Sequence, residues 1–239
     1  MNKLILFGVF FCFSTALSAA CPEGDKLYSK SAKASVPAYQ LCAVQDNDEF
    51  SQVRLADLFK KGSKNVEKNE TKALLFYHLA ANNGNAYAQT ELAKLILMMD
   101  EDEEKRKKLA SYMKQIKSAS QNADEFEFKG ELLHPYVWLL LASEDASQKW
   151  YYPSTKKYSS EAAALIKNYQ LPDEKKRELI FIASQWKQQK MMQTAKEVLA
   201  ESEYKTFKDT LFPKQGKADS FLRKQALTNL KDKVENYLK

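Results

Sequence analysis

The stretch that decides the fold is Asn69–Leu97, NETKALLFYHLAANNGNAYAQTELAKLIL. Ala73, Phe76, Tyr77, Ala80 and Ala81 recur at steps of three and four, which places them on one stripe of a helix. Ala80 and Ala81 are small, so a second helix can come close there. Gly84 tolerates the left-handed conformation that ends a helix, and the chain reverses at that point. Ala88-Gln89 and Leu92-Ala93 then open a second helix. The segment reads as two helices folded back on each other.

The order Lys72-Ala73, Phe76-Tyr77, Ala80-Ala81, Gly84, Ala88-Gln89, Leu92 resembles the Sel-one-like repeat, a relative of the tetratricopeptide repeat. Ser51-Gln52, Leu55-Ala56 and Phe59 align with Ala88-Gln89, Leu92-Ala93 and Ile96 at an offset of 37 residues (88 − 51), and Gly62 closes that earlier helix. Trp138, Leu139, Ala142 and Ser143 align with Phe76, Tyr77, Ala80 and Ala81 at an offset of 62 (138 − 76). The second offset is not a multiple of the first, so the segment between departs from the repeat. The resemblance is fullest over residues 47–97 and extends, more loosely, over 135–186. It implies stacked antiparallel helix pairs that serve as a scaffold for protein contacts.

Composition agrees with that architecture. The chain of 239 residues has six glycines and six prolines and is rich in Lys, Ala, Leu and Glu, which favours helices over a sandwich or barrel. The expected fold is all-α: a short α-solenoid of antiparallel helix pairs with capping helices at the C-terminus. A net charge of +6 with acids and bases interleaved describes solvated helix surfaces, and no nucleic-acid partner is expected.

Residues 1–20 have the form of a signal peptide: Lys3, an apolar run from Leu4 to Phe13, and the small residues Ser18-Ala19-Ala20. Export to the periplasm or beyond is the expectation. The alternative is a lipid anchor on Cys21, which would make a membrane the partner; that processing prefers Leu where Ser18 stands, with Leu17 one place too early. Cys12 leaves with the signal, and the remaining Cys21 and Cys42 most simply form one disulfide. Closing a loop of about 20 residues is worth roughly 3 kcal/mol and ties residues 21–45 to the stack.

Further along, a short helix within 23–39 is expected to end at Pro37, and Asp46 with Glu49 forms a capping box for the first repeat helix. Phe50, Val53, Ala56, Leu58 and Phe59 face inward. Residues 61–68 are a loop. In the run DEDEEKRKK, the pairs Glu101–Lys105, Glu103–Lys107 and Glu104–Lys108 have the favoured acid-first spacing, and Leu109, Tyr112, Met113 and Ile116 continue a buried stripe. PYVWLLLASED from Pro135 is buried on most sides. Pro172 starts a helix that packs through Leu179, Ile180, Ile182, Ala183 and Trp186. Residues 46–193 form the repeat region, and 194–239 the caps.

Nothing in the sequence points to an enzyme. His78 and His134 lack the i,i+4 companion of a helical zinc site, and no nucleophile elbow or glycine-rich phosphate loop is present, so no catalytic residue, cofactor or metal is assigned. One stretch stands out: in WYYPSTKKY, Trp150, Tyr151 and Tyr152 crowd beside Lys156 and Lys157 in a connector, where they serve either as a partner-binding hot spot or as a cover for the apolar helix before them. The expected function is a scaffold or adaptor that binds another protein in the periplasm. The alternative is a protein that binds or hydrolyses peptidoglycan through a dispersed site.

Overall fold

A computed structural model of the chain describes residues 21–120, 132–144 and 155–211. Among the described residues it is all-α, with ten helices that pack in neighbouring pairs. They are α1 (Pro22–Tyr28), α2 (Ala32–Gln45), α3 (Glu49–Lys61), α4 (Glu70–Asn82), α5 (Ala86–Asp100), α6 (Glu103–Ser120), α7 (Pro135–Glu144), α8 (Thr155–Asn168), α9 (Asp173–Val198) and α10 (Glu201–Leu211).

Helices α3, α4 and α5 are started by the same device. The side chains of Asp48, Asn69 and Asn85 accept the backbone N–H three residues on, at 2.8, 2.9 and 2.8 Å, so each caps a donor the helix cannot satisfy itself. The cap of α3 is therefore Asp48. The expected Asp46–Glu49 box does not form, because Asp46 terminates α2 and Glu49 accepts from Asn85 instead. Gly62 and Gly84 end α3 and α4 with φ of 71° and 92°, values that L side chains rarely adopt.

Ala80 and Ala81 are fully buried, as are Ala73, Tyr77, Leu92 and Ala93, and one core runs from α2 through α9. Two glutamines fix the stacking. Gln52 Nε2 donates to the carbonyl of Ala43 at the end of α2, at 3.0 Å, and Gln89 Nε2 donates to that of Ala81 near the end of α4, at 3.1 Å. Asp48 and Asn85, like Gln52 and Gln89, stand 37 residues apart (85 − 48; 89 − 52), so α2–α3 and α4–α5 are built alike.

The out-of-step offset of 62 has a direct cause. Helix α7 packs on α5, while α6 lies to the side against α5 and α4. The surplus of 25 residues (62 − 37) falls in the segment that carries α6, and the stack resumes with α7 and α8.

Other expectations are corrected. Pro37 lies inside α2 and does not end the preceding helix. The backbone hydrogen bond it forfeits is offset by complete burial of Tyr39 and Ser35 and by the covalent tie at Cys42. Glu103–Lys107 and Glu104–Lys108 pair at 3.1 and 2.8 Å, but Lys105 reaches Glu70 of α4 at 3.5 Å, since Glu101 is the terminal cap of α5. Met113 and Ile180 are exposed because the core sides of α6 and α9 are taken by Leu109 and Tyr112, and by Leu179, Ala183 and Trp186. Pro172 precedes α9 as its cap, and α9 runs unbroken across positions 193 and 194.

Candidate partner-binding face

Every second helix of the stack contributes to one face. Phe50 and Asp57 on α3 stand 37 residues before Tyr87 and Lys94 on α5 (87 − 50; 94 − 57), so the repeat itself lays these side chains in register. Helix α8 adds Tyr158 and Glu161. The Tyr87 and Tyr158 rings meet edge-on with centroids 4.7 Å apart.

A polar chain crosses all three helices. Lys60 of α3 bonds to Glu91 of α5, Glu91 also accepts from Lys94 at 2.9 Å, and Lys94 bonds to Glu161 of α8. Burial alone would raise the pKa of Glu91, but hydrogen bonds from Lys60 and Lys94 and their charges outweigh it and hold the carboxyl below its usual range. Burial would likewise lower Lys94, and the bonds to Glu161 and Glu91 raise it instead. Glu91 is thus a carboxylate and Lys94 an ammonium at neutral pH.

Beneath this chain, Asp57 Oδ1 accepts two phenol protons, from Tyr77 at 2.5 Å and Tyr87 at 2.7 Å, and Lys61 lies 3.6 Å from its other oxygen. Burial first, then the charge of Asp57, pushes both phenols well above their ordinary value, so they remain donors. At the near end, the Arg54 guanidinium lies between the Tyr28 and Phe50 rings, 5.0 and 4.9 Å from their centroids. Tyr39 donates to Asp25 at 2.6 Å, which fastens α1 to α2.

These groups answer one another, and the arrangement suits a fixed binding surface better than chemistry. Half-buried tyrosine rings and lysine stems offer apolar contact, and the paired heads offer hydrogen bonds in set positions. His78 Nδ1 is 3.1 Å from the Tyr112 hydroxyl and its ring lies 5.9 Å from that of Trp138, a buried aromatic cluster. His134 Nδ1 accepts the Tyr136 N–H at 3.2 Å. Among the described residues no group of three metal-ligating side chains converges, and no helix is long and apolar enough to cross a membrane.

Of the residues singled out in the sequence, Cys21 and Cys42 are brought together as a disulfide with Cα atoms 6.0 Å apart. Gly24 makes that approach close: a Cβ there would lie 2.5 Å from the Tyr39 ring. Trp150, Tyr151 and Tyr152 lie outside the described residues. The chain through Lys60, Glu91, Lys94 and Glu161 escaped sequence reasoning, although the 37-residue alignment of Phe50 with Tyr87 was its available signal. Comparison with known proteins yields no matching family model, no matching characterised protein and no matching solved structure.

Proposed function

We propose that the chain is an exported Sel-one-like helical-repeat adaptor, which binds another protein in the periplasm on the face formed by α3, α5 and α8. The observation that carries this reading is the polar chain Lys60–Glu91–Lys94–Glu161, which links α3, α5 and α8 into one surface. A surface fixed before binding loses little side-chain freedom when the partner arrives, so its contacts convert efficiently into affinity. Trp150, Tyr151 and Tyr152, which precede α8 in sequence, add an aromatic anchor to the same role.

Affinity capture from a periplasmic extract, read by mass spectrometry, tests the proposal beside an assay of peptidoglycan fragments with the pure protein. A reproducible protein partner lost on Lys94→Glu supports the adaptor. Turnover of the fragments, with no protein captured, replaces it with the cell-wall reading.

A further inference from the structure

One cation of the binding face has no acid. Arg54 stands 37 residues before Glu91, and Asp57 stands 37 before Lys94 (91 − 54; 94 − 57). The repeat therefore sets Arg54 and Asp57 of α3 where α5 has Glu91 and Lys94, with the charges exchanged. In α5 that pair closes at 2.9 Å, and Lys60 answers Glu91 from α3. In α3 the matching pair does not form. Asp57 is taken by Tyr77, Tyr87 and Lys61, and α1 brings the Tyr28 ring to Arg54 in place of a carboxylate. The remaining acids of α1 and α3 are engaged as well. Glu23 lies 3.9 Å from Lys26, Asp25 accepts from Tyr39, and Glu49 accepts from Asn85.

Arg54 is half-buried, and its Nε is buried with no acceptor. Lys60, Lys94, Lys105 and Lys187 are half-buried too, yet each pairs with a carboxylate. Arg54 has no ion pair among the described residues; its contacts are the Tyr28 and Phe50 rings, which flank the guanidinium. Rings on both sides hold the group in place and take part of its water from it. A guanidinium so prepared makes the two-point bond to a carboxylate with little further ordering.

We propose that Arg54 receives an acidic side chain, Asp or Glu, of the protein that docks on this face. The inference rests on α3, α5 and α8 being the partner-binding surface. The incoming carboxylate supplies for Arg54 what Lys60 finds in Glu91 and Lys94 finds in Glu161. Both of those acids are side chains presented by an adjoining helix, which is why a side chain and not a chain terminus is assigned.

The probe is the capped tripeptide acetyl-Phe-Glu-Phe-amide, whose one charge is the glutamate and whose rings can meet Tyr28, 38% exposed. It is titrated into the processed chain while the Arg54 Nε–H and the α3 backbone amides are followed by NMR. The expected result is a saturable shift at Arg54 with a Kd of about 1 mM. The same peptide with Gln for Glu binds about tenfold more weakly, the usual worth of a hydrogen bond between charged groups. Arg54→Gln abolishes the binding. Arg54→Lys, which keeps a cation beside the rings and the parent's amide spectrum, weakens it about fivefold or more because the planar fork is gone. No saturable shift, equal binding of the Glu and Gln peptides, or full binding by Arg54→Lys overturns the proposal. Binding only by acetyl-Phe-Gln-Phe with a free carboxyl terminus also overturns it, in favour of a chain terminus. The titration needs no captured partner, so failure to capture a protein counts against the adaptor reading alone. Failure of the Glu peptide with a partner in hand counts against this inference alone.

Discussion

Replacing Gln52 and Gln89 separately by Met, which keeps the side-chain volume close, isolates the hydrogen bonds that fasten successive helices. The two sites look equivalent in sequence but differ in what they leave behind. Without Gln52, the buried Ala43 carbonyl loses its amide donor, and Asn47 and Asn83 each lose a bond, at 2.9 and 3.0 Å. Leaving a buried acceptor unanswered costs about 1–3 kcal/mol, and with the neighbouring losses Gln52→Met belongs near the top of that range. Without Gln89, the Ala81 carbonyl keeps the Gly84 N–H at 3.0 Å, and a buried Oε1 that had no partner is removed as well. Gln89→Met should therefore cost at most about 1 kcal/mol, the net worth of one ordinary hydrogen bond. Urea denaturation followed by circular dichroism gives both values from the shift in midpoint at constant slope. If Gln89→Met costs as much as Gln52→Met, or if neither moves the midpoint, this account of how the helices are fastened is refuted.

Overpacking offers a second check: Ala80→Leu and Ala81→Leu, each at a fully buried position, should cost about 1–3 kcal/mol, read as a lowered thermal midpoint. The processed chain should begin at Cys21 with a free amine and a Cys21–Cys42 bond, so intact mass before and after reduction should differ by two hydrogens; an added lipid mass contradicts this, and Cys42→Ser should cost roughly 3 kcal/mol. Stability should also fall in two steps on acidification. Burial and then Lys175 hold His134 below its ordinary value of 6.5, with Glu178 opposing, so the stability it brings is complete above 6.5 and is lost as pH drops through the folded value. Glu91 lies below its ordinary 4.5, so its share is complete above 4.5 and fades on further acidification; urea midpoints against pH should show both steps, with the first absent in His134→Asn.

Local chemistry carried much of the fold into the sequence. Ala80 and Ala81 could only mark a close helix contact, and Gly62 and Gly84 end their helices where positive φ is required. What failed were choices between neighbours with the same chemistry. Asp46 and Asp48 are equally good caps, and the winner depends on where α2 stops, which tertiary packing sets. Pro37 signals a helix end by local rules, yet burial of Tyr39 two residues on holds α2 through it. The inserted α6 was visible only as a misfit offset, because its own pattern is that of any amphipathic helix. The binding face was hidden for another reason. Its links join Lys60 to Glu91 and Lys94 to Glu161, pairs separated by 31 and 67 residues, and nothing but the stacking brings them together.

The central claim is that α3, α5 and α8 present the surface on which a partner docks. Its most direct test is site-specific photocrosslinking in living cells, with benzoylphenylalanine placed at Lys61 on the proposed face or at Lys107 on the outlying α6, both exposed. The account predicts a discrete adduct to one other protein from position 61 and none from position 107. Adducts from position 107 alone, or from neither position while the partner is still captured, would contradict it.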